Sequence, residues 1–529
     1  MRREEKIQLA SQTHFDLIII GGGIIGAGIA RDAALRGLKT ALLEKHDFSS
    51  GTTAGSTRLI HGGLRYLELL DFRLVRLDLR EREILLRIAP HLVRPLEFYL
   101  PYYHQSWFYR SKLKAGMALY DLLSYDKSLP PHQILSAREV STREPELSPR
   151  GLQGAAVYFD AQVDLPERLC LENLIDAERH RAQIFNYAEA LDLLQADRRV
   201  VGIRAKSSLP GESMEFELRG QLIINASGPW LDRLMKKFSP TTPERLRTTK
   251  GVHLAFPPLN RHAMALFSAV DGRLVFAIPW LGYSWIGTTD TDFAGDASGA
   301  RATREDADYL VRSLQPYLPR LESSPIYFSN AGVRSLVKEK GSESSVSRMH
   351  RIVDEEENGL PGLISVLGGK ITGYRAIAQE VTDLAGKKLR IRSACQTAQQ
   401  PLPGAAAFTS GSRSADSISA ETWAHCQSLY GTRSGLLLKL VRENEELLRP
   451  LHPAYPDLAA QVILAVREES CQRVSDFLLR RTRLGFSPDL GIQAIPAIAE
   501  WMGRELGWSE ARRSAEIEVC HEELSRARL

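Results

Sequence analysis

A glycine-rich segment between two apolar runs is the feature that most constrains the fold. Residues 15–20 form a continuous, β-branched apolar run, typical of a strand buried in a parallel sheet. The run leads directly into residues 21–26, whose pattern is G-x-G-x-x-G, and residues 27–36 continue as a helix. A second apolar run at residues 40–43 ends at Glu44. This order of strand, glycine turn, helix, strand and acid predicts a βαβ unit that binds a dinucleotide.

Each part of this pattern has a physical task. Gly21 permits a tight turn, Gly23 lets the backbone approach a pyrophosphate, and Gly26 lets the helix lie close to the first strand. The N-terminus of the helix then faces the phosphates. Glu44 lies about twenty residues beyond the glycines, where the fingerprint places an acid that accepts hydrogen bonds from a ribose. The alternative is a glycine-rich turn in an unrelated α/β unit.

The number of such fingerprints separates the candidate cofactors. Enzymes that pass electrons between a flavin and a nicotinamide usually carry two of them. The rest of the sequence contains no second strand, G-x-G-x-x-G and helix in that order. A single fingerprint therefore predicts one bound flavin dinucleotide, FAD.

Length, charge and cysteine usage exclude several other classes. At 529 residues the chain exceeds the roughly 250 to 300 residues at which single cores stop growing, so more than one domain is expected. The net charge is only +4 and the basic residues are scattered, which gives little support to a nucleic-acid partner. The five cysteines contain no C-x-x-C pair, so no metal site is predicted and a reduced cytoplasmic location fits.

A small-residue segment after Glu44 runs into a cluster of His, Arg and Tyr. Residues 49–58 read SSGTTAGSTR and residues 59–68 read LIHGGLRYLE. With this second, highly specific stretch the chain resembles the FAD-dependent glycerol-3-phosphate dehydrogenases. Further family motifs follow in order: IINASGPW at 223–230, KGVH at 250–253, IGTTD at 286–290, GVR at 332–334 and GGKITGYR at 368–375. The resemblance covers residues 15–385 strongly and extends more loosely to SDFLLRRTR at 475–483.

The resemblance implies which residues hold FAD. Besides Gly21, Gly23, Gly26 and Glu44, they are Ser56, Ser227, Gly228, Gly369, Lys370, Ile371 and Thr372. The alternative at residues 226–230 is an ordinary turn from a strand to a helix. Three positions depart from the family pattern, Ile25, Ser227 and Gly373, and we expect them to tune the flavin rather than to change the reaction.

The substrate that the resemblance implies, glycerol 3-phosphate, carries a dianionic phosphate and a secondary alcohol. Its pocket needs cationic donors at one end and a proton acceptor at the other. The cationic candidates are Arg65 with Tyr66, Arg334 and Lys370, and the candidate proton acceptors are His61 and His253.

Spacing and charge suggest roles for these candidates. His61 and Arg65 are spaced i, i+4 and project together if the segment is helical, which favours Arg65 with Tyr66 for the phosphate. Arg334 is expected near the reacting oxygen, where a fixed charge stabilises the alkoxide. Lys370 suits either end of the substrate. His61 is preferred to His253 as the base, although the sequence does not order the two.

The predicted reaction is oxidation of sn-glycerol 3-phosphate to dihydroxyacetone phosphate, with hydride transfer from C2 to flavin N5. The electron acceptor is expected to be external, and the resemblance implies the membrane quinone pool. An oxidase that reduces oxygen is the nearest alternative, an amine oxidase of the same superfamily is a weaker one, and a non-catalytic flavin-binding scaffold is the alternative from another class. A homodimer is one oligomeric state that the sequence leaves open.

Contact with the cytoplasmic face of the membrane is expected to be peripheral. The uncharged segment 17–30 is shorter than the roughly 20 apolar residues of a spanning helix, and no other segment is long enough. The candidate membrane contact is residues 107–123, which combine aromatic and basic side chains: Trp107, Phe108, Tyr109 and Tyr120 with Arg110, Lys112 and Lys114. The alternative is a helix packed within a cap domain.

The expected fold class is α/β and α+β, with a Rossmann-type FAD-binding domain, an antiparallel-sheet substrate cap domain and a helical C-terminal domain. Residues 273–278 and 283–287 indicate a hairpin within the cap. The predicted domain limits are 15–90, 150–235 and 325–390 for FAD binding, 91–149 and 236–324 for the cap, 401–419 for a linker and 420–529 for the C-terminal domain.

Overall fold

Two units make up the computed structural model, which describes residues 3–64, 67, 70–209, 212, 214–338, 349–408 and 418–529. The first unit comprises Met1–Ala54, Leu165–Thr248 and Arg334–Glu522. The second comprises Gly55–Asp164, Thr249–Val333 and Glu523–Leu529. Each unit is therefore assembled from segments that are distant in the sequence.

The helices and strands are numbered in chain order through the described residues. The helices are α1 (Arg3–Ser11), α2 (Ile24–Leu35), α3 (Phe72–Ile88), α4 (Trp107–Leu123), α5 (Ala137–Arg143), α6 (Pro166–Arg179), α7 (Leu231–Phe238), α8 (Arg304–Leu314), α9 (Tyr374–Leu389), α10 (Ala420–Tyr430), α11 (Ser434–Glu443), α12 (Ala459–Glu468), α13 (Val474–Arg480), α14 (Ile495–Leu506) and α15 (Glu510–Ser525). The strands are β1 (His14–Ile20), β2 (Thr40–Leu43), β3 (Leu59–Ile60), β4 (Val93–Tyr103), β5 (Gln133–Ser136), β6 (Leu152–Val163), β7 (Gln183–Phe185), β8 (Ala188–Ala196), β9 (Arg199–Ser207), β10 (Glu215–Asn225), β11 (Leu246–Phe256), β12 (Ala263–Phe267), β13 (Leu274–Trp280), β14 (Tyr283–Gly287), β15 (Thr291–Asp292), β16 (Phe328–Val337), β17 (Arg351–Asp354), β18 (Leu363–Leu367), β19 (Pro450–His452) and β20 (Tyr455–Leu458).

β1 lies inside the sheet of the first unit, whose order is β17-β18-β10-β1-β2-β7. It runs parallel to β2 and β10, with Ile20 beside Leu43 and Asn225. Leu17, Ile18 and Ile19 are fully buried, as the apolar run predicts. Because the carboxyl ends of parallel strands meet at one edge, the residues that follow β1, β2 and β10 become neighbours, at the edge where α/β sheets bind ligands. The predicted βαβ unit is confirmed.

The larger sheet has the order β15-β11-β14-β13-β12-β4-β6-β3, with β5 also paired to β6 and β16 to β11. Most pairs are antiparallel, and β12 with β4 is a parallel one. The predicted hairpin is confirmed, since β13 and β14 pair from Trp280 opposite Tyr283. Its turn has positive φ at Leu281 and Gly282. The antiparallel sheet expected for a cap is therefore present.

The limits of the two units differ from the domain limits expected from sequence. Residues 55–90 and 150–164 were expected beside the βαβ unit, but they lie in the second unit because β3 and β4 both pair with β6. Residues 420–522 were expected as a separate domain and instead cluster with the first unit. The reason is that buried arginine–carboxylate pairs tie them to α6, as in Arg168 with Glu469 and Arg433 with Glu172.

The C-terminal part of the chain is mainly helical, as predicted, from α10 to α15. A short hairpin of β19 and β20, not expected from the sequence, interrupts the helices. The predicted linker is packed where the structure describes it. Gly404 is buried and its N–H donates to the Glu172 carboxylate at 2.6 Å, whereas residues 409–417 lie outside the described residues. Within the described ranges, no helix has both the length and the apolar character needed to cross a bilayer.

Candidate active site

The glycine turn after β1 has the geometry that a dinucleotide needs. Gly21 has φ +111°, and a Cβ there would lie 2.6 Å from the carbonyl oxygen of Ala226. A Cβ on Gly26 would lie 1.9 Å from the Gly21 oxygen, so α2 could not approach the turn with any larger residue. Gly23 caps α2 without a side-chain hydrogen bond, and the nearest atom to a Cβ there is Thr53 Oγ1 at 3.4 Å. The glycines at the start of α2 therefore place no side chains in the space in front of the helix.

Glu44 lies at the same sheet edge, directly after β2. Its Oε2 accepts a hydrogen bond from the Gly22 N–H at 2.7 Å, and its Oε1 accepts one from the His46 N–H at 2.9 Å. Desolvation raises the pKa of this carboxyl, and the two N–H donors oppose that shift. A carboxylate has about four lone-pair sites, so these two bonds leave capacity for ribose hydroxyls.

The segment that follows β10 contacts the glycine turn. The Ala226 N–H donates to the Ile20 carbonyl at 2.9 Å. The Ser227 hydroxyl donates to Asn225 Oδ1 at 2.6 Å, so its proton is engaged within the chain. Gly228 has φ +57°, and a Cβ there would meet open space. This segment therefore offers backbone, rather than a hydroxyl proton, to a ligand.

A third segment reaches the start of α2 from β18. Gly369 has φ +105°, and a Cβ there would lie 2.8 Å from Ile25 Cδ1. Lys370 and Ile371 accept the N–H bonds of Gly373 and Tyr374, which turn the chain into α9. Thr372 is buried in this turn, and α9 begins without a side-chain cap. The structure therefore brings together the predicted FAD contacts at 21–26, 44, 227–228 and 369–372.

These residues fit FAD. Gly23 and Gly228 border open space, since a Cβ at Gly23 would meet only Thr53 Oγ1 at 3.4 Å and one at Gly228 would meet no atom within 4 Å. Two helices begin nearby at the glycine N-caps Gly23 and Gly373, which add no side chain, and helix N-termini favour phosphates. A carboxylate stands at the position of the ribose contact. Ser56 belongs to the second unit, where its hydroxyl accepts the Arg58 N–H at 3.4 Å.

The two candidate histidines lie on the larger sheet. His253 is buried in β11, with its ring flat on Trp285 at 5.2 Å and its Nε2 at 3.0 Å from Thr57 Oγ1. His61 follows β3, is half-buried, and meets Phe276 edge-on at 6.3 Å. The two imidazoles therefore differ in burial, with His253 buried and His61 half-buried.

The sheet register places His253 on one row with Gly287 and Phe276, and His61 contacts that row through the Phe276 ring. His253 is opposite Gly287, and Gly287 is opposite Phe276, which His61 contacts. Directly opposed residues in antiparallel strands point to the same face. A Cβ on Gly287 would lie 2.4 Å from His253 Cδ2, so only a glycine leaves room for the imidazole there.

The helix considered for His61 and Arg65 does not begin at His61. Residues 61–63 form no helix, and Gly63 has φ +72°. Gly62 is held by its N–H bond to Asp160 at 3.4 Å, and a Cβ there would lie 2.6 Å from Tyr120 Oη. Arg65 and Tyr66 themselves lie outside the described residues. Arg334 lies half-buried in β16, in the first unit.

Asp160 is a functional candidate that the sequence reasoning missed. It is buried in β6 and accepts hydrogen bonds from Arg82 at 2.7 Å and from Tyr120 at 2.9 Å, as well as from Gly62. Burial raises the pKa of this carboxyl, and the Arg82 charge opposes the shift. A lone acid inside the apolar run of β6 was the available signal, because unpaired acids are almost never fully buried.

Family models match nearly the whole chain. Residues 16–384 match the family described as FAD dependent oxidoreductase. Residues 395–513 match the family described as the C-terminal domain of alpha-glycerophosphate oxidase.

Individual proteins match over almost their full length. A glycerol-3-phosphate dehydrogenase of Synechocystis sp. is 39% identical over 99% of this chain and 98% of its own. An aerobic glycerol-3-phosphate dehydrogenase of Bacillus subtilis is 32% identical over 98% of this chain and 96% of its own. The solved glycerol-3-phosphate dehydrogenase of Bacillus halodurans, complexed with FAD, has a TM-score of 0.80 at 29% identity and covers 99% of this chain and 97% of its own. The chain belongs to the family of FAD-dependent glycerol-3-phosphate dehydrogenases, and its cofactor is FAD.

Proposed function

We propose that the chain oxidises sn-glycerol 3-phosphate to dihydroxyacetone phosphate and passes the electrons to a membrane quinone. The observation that carries the proposal is that both histidines approach one row of the sheet: His253 is in register through Gly287 with Phe276, and His61 lies against the Phe276 ring. The relatives named as glycerol-3-phosphate dehydrogenases support the substrate. When bound, FAD supplies a hydride acceptor at N5 for the C2 hydrogen.

His61 is the better candidate for the base that takes the proton of the C2 hydroxyl. Its ring is half-buried with one edge against Phe276, which leaves part of the imidazole accessible. His253 is buried, flat on Trp285, and engaged with Thr57 through Nε2. A general base must reach the proton that it removes, so accessibility favours His61. His253 then orients neighbouring groups.

The cationic residues are assigned to the reacting oxygen, the phosphate and the cofactor. Arg334 stabilises negative charge on the reacting oxygen, since a fixed guanidinium costs no reorganisation during the reaction. Arg65 and Tyr66 bind the phosphate, an assignment that rests on the family motif. Lys370 lies in the turn before α9, beside the proposed FAD contacts Gly369 and Ile371, and serves cofactor and substrate. Ser56, Ser227, Gly228 and Thr372 complete the proposed set of FAD contacts.

Helix α4 supports a peripheral membrane contact. Trp107 and Phe108 are 71% and 67% exposed, and Leu122 is 68% exposed. Phe108, Lys112 and Leu122 fall on one side of the helix at its periodicity, giving an apolar stripe with a basic residue. Tyr120 was expected among the membrane contacts and is instead buried, because its hydroxyl bonds to Asp160. The remaining aromatics suit the headgroup region.

An oxygen-reducing enzyme is the second candidate. The observation that favours it is the match of residues 395–513 to the C-terminal domain of alpha-glycerophosphate oxidase. The two candidates share substrate and cofactor and differ in the electron acceptor.

Anaerobic mixing with glycerol 3-phosphate, followed by addition of acceptor, tests the proposal. We expect the flavin band to bleach with substrate and to recover faster with a soluble ubiquinone analogue than with oxygen. Glycerol 2-phosphate is the matched control and should leave the band unchanged. A band that does not bleach contradicts the substrate, and faster recovery with oxygen favours the oxidase.

A further inference from the structure

A buried ionic cluster joins the C-terminal helices to the loop that carries Glu44. We define the Glu44 loop as residues 44–53. Asp47, in this loop, is 1% exposed, and Arg481 is fully buried. Arg481 binds Asp47 end-on, with Nη1 at 2.7 Å from Oδ2 and Nη2 at 3.0 Å from Oδ1. Arg480 Nε adds a third bond to Oδ2 at 2.6 Å.

The Glu44 loop is also hydrogen-bonded to the glycine turn and to the start of α2. Glu44 accepts the Gly22 N–H, and the Ser49 N–H donates to the Gly22 carbonyl at 3.1 Å. Thr53 Oγ1 accepts the Ile24 N–H at 3.1 Å, at the first residue of α2. The loop therefore contacts the FAD-binding turn at Gly22 and Ile24, and the arginine pair at Asp47.

The Glu44 loop adopts a conformation that its own residues do not favour. Ser49 has φ +66°, which is uncommon for a residue other than glycine. Asp47 is charged and buried, and a buried charge is tolerated only when it is paired. Its arginine neighbours hold the pKa of the Asp47 carboxyl below its usual value, although burial alone raises it. Asp47 therefore needs charged partners from outside the loop.

The support is itself fixed within the C-terminal part of the chain. Arg481 also donates from Nη2 to the Glu469 carbonyl at 2.9 Å. Arg480 donates from Nη2 to Asp476 at 2.8 Å, and Asp476 accepts the backbone N–H of Arg473 at 2.9 Å. The arginine pair is therefore held rigidly by α13 and the residues before it.

We propose that Arg480 and Arg481 are positioning residues for FAD, acting through Asp47 to place Glu44 and the Gly22 turn. This assigns the SDFLLRRTR segment a role in cofactor retention rather than in chemistry. The inference rests on the proposed contact between Glu44 and the FAD ribose. Removal of the bidentate pair is expected to loosen the loop and to weaken FAD binding without changing the substrate site.

The test compares FAD affinity among variants of the holoenzyme. Each protein is purified with FAD, diluted in steps, and the fluorescence of released flavin is followed to equilibrium. Arg481→Lys keeps the charge but loses the planar, two-bond geometry. We expect it, and Asp47→Asn, to raise the FAD dissociation constant about tenfold, equivalent to 1.4 kcal/mol. At saturating FAD the KM for glycerol 3-phosphate should stay at the wild-type value.

Arg473→Ala is the matched control. The Arg473 side chain pairs with the largely buried Glu516 at 3.2 Å, and its replacement by alanine keeps the backbone N–H that Asp476 accepts. This variant should lower the thermal stability and leave the FAD dissociation constant unchanged. An equal loss of FAD in Arg473→Ala would attribute the effect to general destabilisation and overturn the proposal.

Two further variants test the proposal if Arg481→Lys does not fold or if Glu44 does not contact FAD. If Arg481→Lys does not fold, Arg480→Lys replaces the side chain that bonds to both Asp47 and Asp476 and leaves the bidentate Arg481 pair in place. A wild-type FAD dissociation constant for Arg480→Lys would overturn the role proposed for Arg480. Glu44→Gln tests the premise. If Glu44→Gln binds FAD normally, Glu44 does not contact the ribose and the premise fails. If Glu44→Gln binds FAD weakly while Arg481→Lys binds it normally, the premise holds and the positioning role of the arginines is contradicted.

Discussion

The hydroxyl of Tyr120 donates to the buried carboxylate of Asp160, lying 2.9 Å and 3.0 Å from its two oxygens. Tyr120 belongs to the outer helix α4, and Asp160 also accepts the N–H of Gly62, next to His61. This contact joins the helix proposed for the membrane to the backbone that carries the proposed base. The relationship lies entirely within the second unit.

Tyr120→Phe should destabilise the protein by about 2 kcal/mol, since hydrogen bonds to charged groups contribute roughly 1.5 to 3 kcal/mol. It should also lower kcat, because Gly62 and His61 lose one constraint. Urea unfolding and steady-state kinetics measure the two effects. Tyr125→Phe is the control, because Tyr125 is 76% exposed. A wild-type kcat for Tyr120→Phe would exclude a positioning role for this contact.

His61→Asn should retain FAD and lower kcat by about 10²- to 10⁴-fold, the range that a general base contributes. His253→Asn should lower stability more and kcat less, because the ring packs flat on Trp285. Visible absorbance reports the bound flavin, and single-turnover reduction reports the chemical step. The opposite order of the two kinetic effects would assign the base to His253.

Arg334→Ala should keep its FAD and lose on the order of 3 kcal/mol of transition-state stabilisation, about a 10²-fold fall in kcat/KM. Arg204→Ala is a suitable control, because Arg204 lies on β9 with nearly half of its side chain exposed. The rate of anaerobic flavin reduction measures the effect. Equal reduction rates in both variants would show that Arg334 is not near the reacting oxygen.

Gly26→Ala should yield protein without FAD. The added Cβ lies 1.9 Å from the Gly21 oxygen, so either α2 or the turn must move. Gly116→Ala makes the same change in α4, where no atom lies within 4 Å of the new Cβ. It should bind FAD fully and gain roughly 1 kcal/mol of helix stability. The ratio of flavin to protein absorbance checks both, and full FAD occupancy in Gly26→Ala would contradict the close approach.

The double variant Trp107→Ser/Phe108→Ser should lose co-sedimentation with anionic liposomes while keeping activity with a soluble quinone analogue. Both side chains are exposed at the start of α4, beside basic residues that attract anionic lipid by about 1 kcal/mol each. Phe267→Ser/Val270→Ser removes exposed apolar side chains from another part of the second unit and should leave binding unchanged. Binding that survives in the first double variant would place the membrane contact elsewhere.

The βαβ unit could be predicted because its information is local. The strand, the glycines and Glu44 lie within thirty residues of sequence, and each glycine has one steric task. The hairpin of β13 and β14 was predictable for the same reason. Motif resemblance then supplied His61 and His253, which local rules alone would not distinguish from structural histidines.

The contacts that escaped prediction join residues far apart in the sequence. Asp47 meets Arg481 across 434 positions, and no local pattern pairs a loop acid with a distant arginine. The same limit applies to Tyr120, whose type suits a membrane contact but which is buried with its hydroxyl on Asp160, 40 positions along the chain. The aromatic and basic composition of residues 107–123 suggested a membrane contact but not which aromatic residue faces inward.

The end-on pair of Asp47 and Arg481 also bears on how the protein is made. A ribosome synthesises the loop acid 434 residues before the arginine that neutralises it. At about 5 to 20 residues per second, the interval is roughly 20 to 90 s. During that time the carboxylate of the loop has neither Arg480 nor Arg481 to pair with, so the proposed support of the Glu44 loop forms only when translation is nearly finished.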